Sequence, residues 1–242
     1  MENSQAKRNN TDRIISPLDI LFEDNHLIAV NKKTSQPVQP DKTGDLSLDS
    51  LVINYIRKSY NPAGEILAGI IHRIDRRASG VVLFARSQEA LAGMNRLFSE
   101  GLVRKTYWAI TSSVPSNESG RLEHWLKRNE RLNKSFAYND SVTDSKFSAL
   151  TYKVISKSER YFLLEIDLLT GRHHQIRCQL AAIGCPVRGD LKYGYPRSTK
   201  DGSIGLHARS LSFIHPITGE ALEITAPAPD DKLWDVLVGE VH

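Results

Sequence analysis

Nine consecutive residues, His72-Arg73-Ile74-Asp75-Arg76-Arg77-Ala78-Ser79-Gly80, hold the densest collection of reactive side chains in the chain. They lead into the apolar run Val81 to Ala85, so they read as a loop anchored to a rigid strand, a favoured place for catalytic groups. Asp75 stands among Arg73, Arg76 and Arg77. Nearby positive charge favours the ionised carboxylate, which is the state a nucleophile needs. The same residues also suit a loop carboxylate in surface ion pairs, and these nine positions leave both readings open.

A second polar cluster, Thr170-Gly-Arg-His-His-Gln-Ile-Arg177, falls where a strand pattern ends and a helical one begins. Helix starts present free N–H groups and the positive end of the helix dipole. His173 and Arg177 lie four apart and would share a helix face, where an anion or the Asp75 carboxylate could be held. The alternative is a helix start that merely holds an acidic neighbour. The pair His173 and His174 is a poor metal site, because adjacent helix residues point about 100° apart and no third ligand stands at a usual spacing. The HRID order lacks the spacing of a kinase catalytic loop, and no glycine-rich phosphate loop is present.

Several elements must position these clusters. Residues 20–23 and 26–31 read as two short strands joined by the turn pair Asp24-Asn25. A loop over 32–46 precedes a helix from Ser47 with Leu48, Leu51, Val52, Tyr55 and Ile56 on its apolar face. After the buried strand 80–85, Ser87 caps a helix with Leu91, Met94 and Phe98 inward, and Gly101 stops it. Lys105 to Ile110 alternates as a strand, with Lys105, Tyr107 and Ala109 on one face. Strands are expected at 147–155, 161–169, 206–214 and 221–226. Helices are expected from His173, with Ile176, Leu180 and Ile183 on one stripe, and over 231–238. Strands outnumber helices and hairpin-like links recur, so the reading is an α+β fold on a largely antiparallel mixed sheet with flanking helices.

The 242 residues are 40% hydrophobic and 25% charged, ordinary values for a globular protein. Neither an apolar leader nor a stretch long enough to span a bilayer is evident, so a cytoplasmic protein is expected. Cys178 and Cys185 are too few for a disulfide framework and read as reduced packing residues. From Arg121 to Lys157 there are eight Lys/Arg against four Asp/Glu, enough to account for the whole net charge of +4. This window is either a solvated face or a phosphate-contacting surface.

HRIDRRASG resembles the signature around the catalytic aspartate of the RluA-type pseudouridine synthases. The likeness runs from about Leu21 to Glu223 and takes in ILFEDNHLIAVNK, KTYWA, LLTGRHHQIRCQLAAIGCPVRGDLKYG and LHARSLSFIHPITGE. The resemblance implies a single catalytic domain over 18–242 behind a flexible polar tail at 1–17, without an N-terminal S4-type module. It implies a cofactor-free and metal-free isomerase of uridine in structured ribosomal or transfer RNA, working as a monomer with no required protein partner and no membrane.

The same resemblance implies roles for individual residues. Asp75 would attack the uridine as nucleophile or act on the ribose as base. Arg73 would fill the place the target base leaves in the RNA helix, Tyr107 would stack on the flipped uracil, Ile176 would contact it from the other side, and Arg177 would pair with Asp75. Flipping a base takes a few kcal/mol, and stacking on an aromatic side chain returns about 1–3 kcal/mol. Lys33, Ala78 and Gln179 stand where the family usually has Pro, Thr and His. None of these departures removes a catalytic group.

Overall fold

The structure is a computed structural model and describes residues 18–60 and 65–241; the tail expected at 1–17 lies outside the described residues. In chain order its elements are β1 (Ile20–Glu23), β2 (Leu27–Lys32), α1 (Leu48–Tyr60), β3 (Gly69–Ile70), β4 (Ser79–Ala85), α2 (Gln88–Ser99), β5 (Arg104–Thr111), β6 (Ser119–Asn129) and β7 (Lys134–Tyr138). There follow β8 (Lys146–Lys157), β9 (Phe162–Leu168), α3 (Gln175–Ala182), a 3₁₀ turn at Leu191–Tyr193, β10 (Leu206–Ile214), β11 (Ala221–Thr225) and α4 (Lys232–Gly239).

β4 is buried along its whole length, as a continuous apolar strand must be when both sheet faces are covered. It lies inside one sheet of order β1-β2-β4-β10-β5-β9-β8-β6-β7, with β3 also paired to β4 and β11 to β10. The ladders are antiparallel except that of β10 with β4, where His207 pairs with Ser79 and Ala208 with Gly80. Gly80 is required there. It has a φ of 111°, and a Cβ would come within 2.2 Å of the Ala208 carbonyl oxygen.

Alternation on the strands assigns each face its helices. Ile28, Val30, Val82 and Phe84 pack against α1, while Leu27, Ala29, Val81 and Leu83 pack against α2. Farther along, Ala109 and Ile166 meet α3 on the first face, and Trp108, Ile110 and Leu163 meet α4 on the second. The sheet is therefore enclosed by α1 and α3 on one side and by α2 and α4 on the other, the α+β architecture expected. Ser87 Oγ caps α2 by accepting from Ala90 N. The fully buried residues of α2 are Ala90, Met94 and Leu97, with Leu91 and Phe98 only partly covered against the same cluster.

Two histidines, His72 half-buried and His207 buried, hold this frame. His72, the first residue of the HRID cluster, accepts the Leu83 N–H at 3.1 Å and stacks on Phe98 with ring centroids 5.3 Å apart. His207 meets Ser79 Oγ at 2.8 Å. Burial lowers the pKa of each to about 4. The unfolded chain binds protons at these imidazoles near pH 6.5, while the native chain does so only near pH 4, so in between the unfolded state holds more protons and stability falls as the pH falls. Urea midpoints should drop steadily from pH 6.5 to about 4.5, each histidine contributing up to about 1.4 kcal/mol per pH unit. His72→Gln should flatten that slope, and an unchanged slope would remove His72 from the account.

Candidate active site

The loop that carries Asp75 is fixed from several sides. Lys32, at the end of β2 and fully buried, donates to the carbonyl oxygens of Lys33 at 2.9 Å, Gln36 at 3.0 Å and Arg76 at 3.0 Å. Burial lowers its pKa to about 7, opposed by the charge of Asp75. Ala78 N donates to Asp75 O at 3.0 Å, and Ile204 N to Arg77 O at 3.1 Å. Lys32→Met would strip three part-buried carbonyls of their donor, each worth up to about 1–3 kcal/mol when left unmet. It should lower the urea midpoint and slow catalysis together, and wild-type values of both would show that the loop holds its shape without Lys32.

Arg76 does not guard Asp75, contrary to the expectation that the flanking arginines keep it charged. Its guanidinium turns outward to Ser35 O at 3.0 Å, Thr43 Oγ1 at 2.8 Å and Asp41 Oδ2 at 3.0 Å, and it also pairs with Asp45. Arg73 and Arg77 are exposed along a cleft rather than folded over the carboxylate. The cation that meets Asp75 is Arg177, whose Nη1 donates to Asp75 Oδ2 at 2.8 Å, as the family resemblance implied.

Arg177 is in turn gripped from behind. Its Nε and Nη2 donate to the two carboxylate oxygens of Asp190 at 2.6 and 2.8 Å, and Asp190 is completely buried. Burial opposes the charge on Arg177, but the hydrogen bonds to Asp190 and the nearby charge of Asp75 outweigh it and raise the pKa. The guanidinium also lies 5.0 Å over the Tyr193 ring. Bidentate pairing fixes the plane of an arginine, so Asp190 sets the direction from which Arg177 reaches Asp75.

The second cluster is arranged differently from the expectation. α3 begins at Gln175, not His173, because His174 sits in the left-handed region with φ 53°. His173 does not share a helix face with Arg177; it turns to the β6–β7 hairpin, with Nδ1 3.0 Å from Ser135 Oγ and Nε2 3.2 Å from Asn133 Oδ1. The histidine beside the carboxylate is His174, with Nε2 3.7 Å from Asp75 Oδ1.

Asp75 faces a small pocket of about 70 Å³ whose walls include Ile74, Tyr107, Leu168, Ile176 and Leu206. Burial first, and then the charge of Asp75, raises the Tyr107 pKa, so its phenol stays protonated at neutral pH. The pocket opens into a cleft of about 910 Å³ lined by Arg73, Arg77, Arg128, Arg172 and Lys192 among others. Arg128 is the one cation of the basic 121–157 window in that lining. Lys127 on the same strand pairs with Asp144 at 3.8 Å, and Arg121 with Glu123 at 2.7 Å. The positive charge of the cleft thus comes mainly from the two motif loops.

Lys32, His174, Asp190 and Tyr193 escaped the sequence reading as site residues. Asp190 and Tyr193 both fall in the GDLKYG end of the long motif, which was the only signal available. A small, mainly apolar pocket with one carboxylate at its wall and arginines along the adjoining cleft suits a planar base carried on a polyanion.

A family model for RNA pseudouridylate synthases matches residues 26–182. The uncharacterized RNA pseudouridine synthase YlyB of Bacillus subtilis is 35% identical over 219 residues, covering 88% of this chain and 70% of the relative. The ribosomal large subunit pseudouridine synthase D of Zymomonas mobilis is 31% identical over 227 residues, covering 89% of this chain and 70% of the relative. The solved human RNA pseudouridylate synthase domain containing 4 shares the fold, with a TM-score of 0.74 at 24% identity over 90% of this chain and 91% of its own. The chain belongs to the RNA pseudouridylate synthase family, in its RluA-type branch, and is an RNA pseudouridine synthase.

Proposed function

We propose that this enzyme isomerises particular uridines of structured ribosomal RNA, and of transfer RNA where the fold of the target stem-loop is alike, with Asp75 as the catalytic carboxylate. The observation that carries the reading is Asp75 at the wall of an apolar pocket, with one oxygen held by Arg177 and the other without a hydrogen bond among the described residues. Several relatives, the Zymomonas mobilis protein among them, are named ribosomal large subunit pseudouridine synthases, which favours ribosomal RNA.

In this reading the target nucleotide flips out of its stack, Arg73 on the cleft rim takes its place in the RNA helix, and the uracil slides between Tyr107 and Ile176. Asp75 either forms a bond from its free oxygen to C1′ or takes a proton from the ribose, and in both cases the C1′–N1 bond breaks with its electron pair going to the uracil. The base turns within the pocket and C5 joins C1′, with the Asp75–C1′ bond breaking on the first route or the proton returning from Asp75 to C2′ on the second, and the hydrogen on C5 is then lost as a proton. Arg177 keeps the carboxylate aligned, and Arg77, Arg128, Arg172 and Lys192 along the cleft hold phosphates. The enzyme acts as a cytoplasmic monomer on RNA alone.

Tritium release from RNA labelled at C5 of uridine tests this, because C5 must lose its hydrogen to become the carbon bonded to ribose. Release from a ribosomal RNA pool is expected. Release confined to transfer RNA would move the substrate assignment, and none from either pool would overturn it.

A further inference from the structure

His174 is 8% exposed at its side chain and lines both the small pocket and the cleft. Its ring is held rigidly, stacked on His173 at a centroid distance of 3.8 Å and set edge-on to Tyr193 at 5.6 Å. Its backbone is in the left-handed region, a strained setting for a residue with a side chain and one that tends to persist where a site needs it.

The hydrogen bonds around it assign its tautomer. Ser135 N donates to the Tyr193 hydroxyl oxygen at 2.8 Å. The Tyr193 hydroxyl has one proton to give, and His174 Nδ1 lies 3.1 Å away. Among the described residues no other acceptor meets that proton, so the arrangement that satisfies the hydroxyl makes Nδ1 the acceptor and puts the proton of the neutral imidazole on Nε2. Burial, working against the charge of Asp75, lowers the His174 pKa to about 3, so the ring is neutral in the working range. Nε2 stands 3.7 Å from Asp75 Oδ1, too far for a hydrogen bond, and has no other hydrogen-bond partner among the described residues. A donor at the pocket wall, on a side chain only 8% exposed and without an acceptor among the described residues, points at a group that arrives with the substrate.

We propose that His174 Nε2–H donates to a carbonyl oxygen of the flipped uracil and stabilises the uracil anion formed when the C1′–N1 bond breaks. The proposal rests on the reading of Asp75 given above. If Oδ1 forms a bond to C1′, or if Asp75 removes the C2′ proton and C1′ and C2′ become doubly bonded, negative charge leaves the carboxylate and appears on the uracil. There it spreads from N1 onto O2 and O4. A donor beside Oδ1 is already close to both ends of that transfer. Neutrality matters too: an imidazolium would hand its proton to the anion and trap free uracil, whereas a neutral N–H stabilises the anion and leaves C5 able to attack C1′. Fixed donors aimed at developing charge are worth about 10²–10³-fold in rate.

The test compares His174→Phe, His174→Gln, Tyr193→Phe, Asp75→Asn and the wild type by single-turnover tritium release, alongside RNA affinity. His174→Phe keeps a ring on the His173 stack but has no donor, and should be slower by about 10²–10³-fold with RNA affinity little changed. His174→Gln loses the ring but places an amide N–H at similar reach, and should recover about tenfold of that loss, roughly one hydrogen bond. A packing role predicts the reverse ranking, so Phe equal to or faster than Gln would overturn the proposal. Should both substitutions unfold the enzyme, Tyr193→Phe decides: it removes the hydroxyl that fixes the tautomer and should slow release several-fold, and a wild-type rate would overturn the proposal. An active Asp75→Asn enzyme would instead overturn the reading of Asp75.

Discussion

Asp75→Asn should abolish tritium release while leaving the protein folded and able to bind RNA. The fall in single-turnover rate should be on the order of 10⁴-fold or more, the scale seen when a group that forms or breaks bonds is removed. The reason is chemical: an amide oxygen neither forms a bond to C1′ nor accepts a ribose proton with the carboxylate's facility. The fold should survive for a structural reason. Asp75 lies in a partly exposed loop whose backbone is tied by Ala78 N, Lys32 and Ile204, and Arg177 keeps both of its bonds to Asp190 when Asp75 loses its charge. Affinity for labelled RNA should therefore stay close to wild type, with the loss in the chemical step and not in binding. Residual activity within about tenfold of wild type would show that another group begins the reaction.

The largest effect on stability is expected at Asp190, which the reaction does not touch. Asp190→Ala would leave the buried guanidinium of Arg177 with Asp75 as its one carboxylate partner. Breaking a buried pair by removing one member typically takes away about 3–5 kcal/mol, a large part of the 5–15 kcal/mol by which domains are stable. Urea unfolding should show the midpoint shift, and activity should fall even where the protein is folded, since Arg177 would no longer approach Asp75 from a fixed direction. The double variant Arg177→Met with Asp190→Leu separates the two effects. Replacing the pair by apolar residues of similar size should restore much of the stability, yet leave the enzyme slow. A loss below about 1 kcal/mol in Asp190→Ala would mean that water or another group reaches Arg177.

How much of this was legible in the sequence depended on whether the signal was local. β4 announced itself as an uninterrupted apolar run, β5 by alternation that placed Tyr107 beside Ala109, and α1 by the spacing of Leu48, Leu51, Val52 and Ile56. The β6–β7 hairpin was read only as a basic window. Its strands lie at the edge of the sheet, carry Lys, Arg, His, Glu and Asn, and set several of their aromatic residues toward solvent, so no apolar periodicity marks them. The start of α3 was misplaced by two residues because a non-glycine residue in the left-handed conformation has no clear signature, and that shift put His173 where His174 belongs. Lys32 ran against the rule that lysine is almost never fully buried; its three carbonyl partners come from two loops brought together by the fold. Asp190 likewise acquires its role from a residue on α3. For the pairing of Arg177 with Asp75, 102 residues apart, spacing offered the Asp75 carboxylate only as one possible occupant, and the family resemblance specified it.

The place of β10 in the sheet has a consequence for how the enzyme comes into being. β10 stands between β4 and β5, so it alone joins the strands β1, β2 and β4 to the strands β5 through β9. The loop bearing Asp75 belongs to the first group, and α3 with Arg177 packs on the second. Ser79 and His207, paired across the junction, are 128 positions apart. Contacts of such long range form late and slowly, and on a ribosome they must await the emergence of residues 206–214. Until then the carboxylate and its arginine ride on separate halves of a nascent chain, so catalytic competence waits on the strand that joins them.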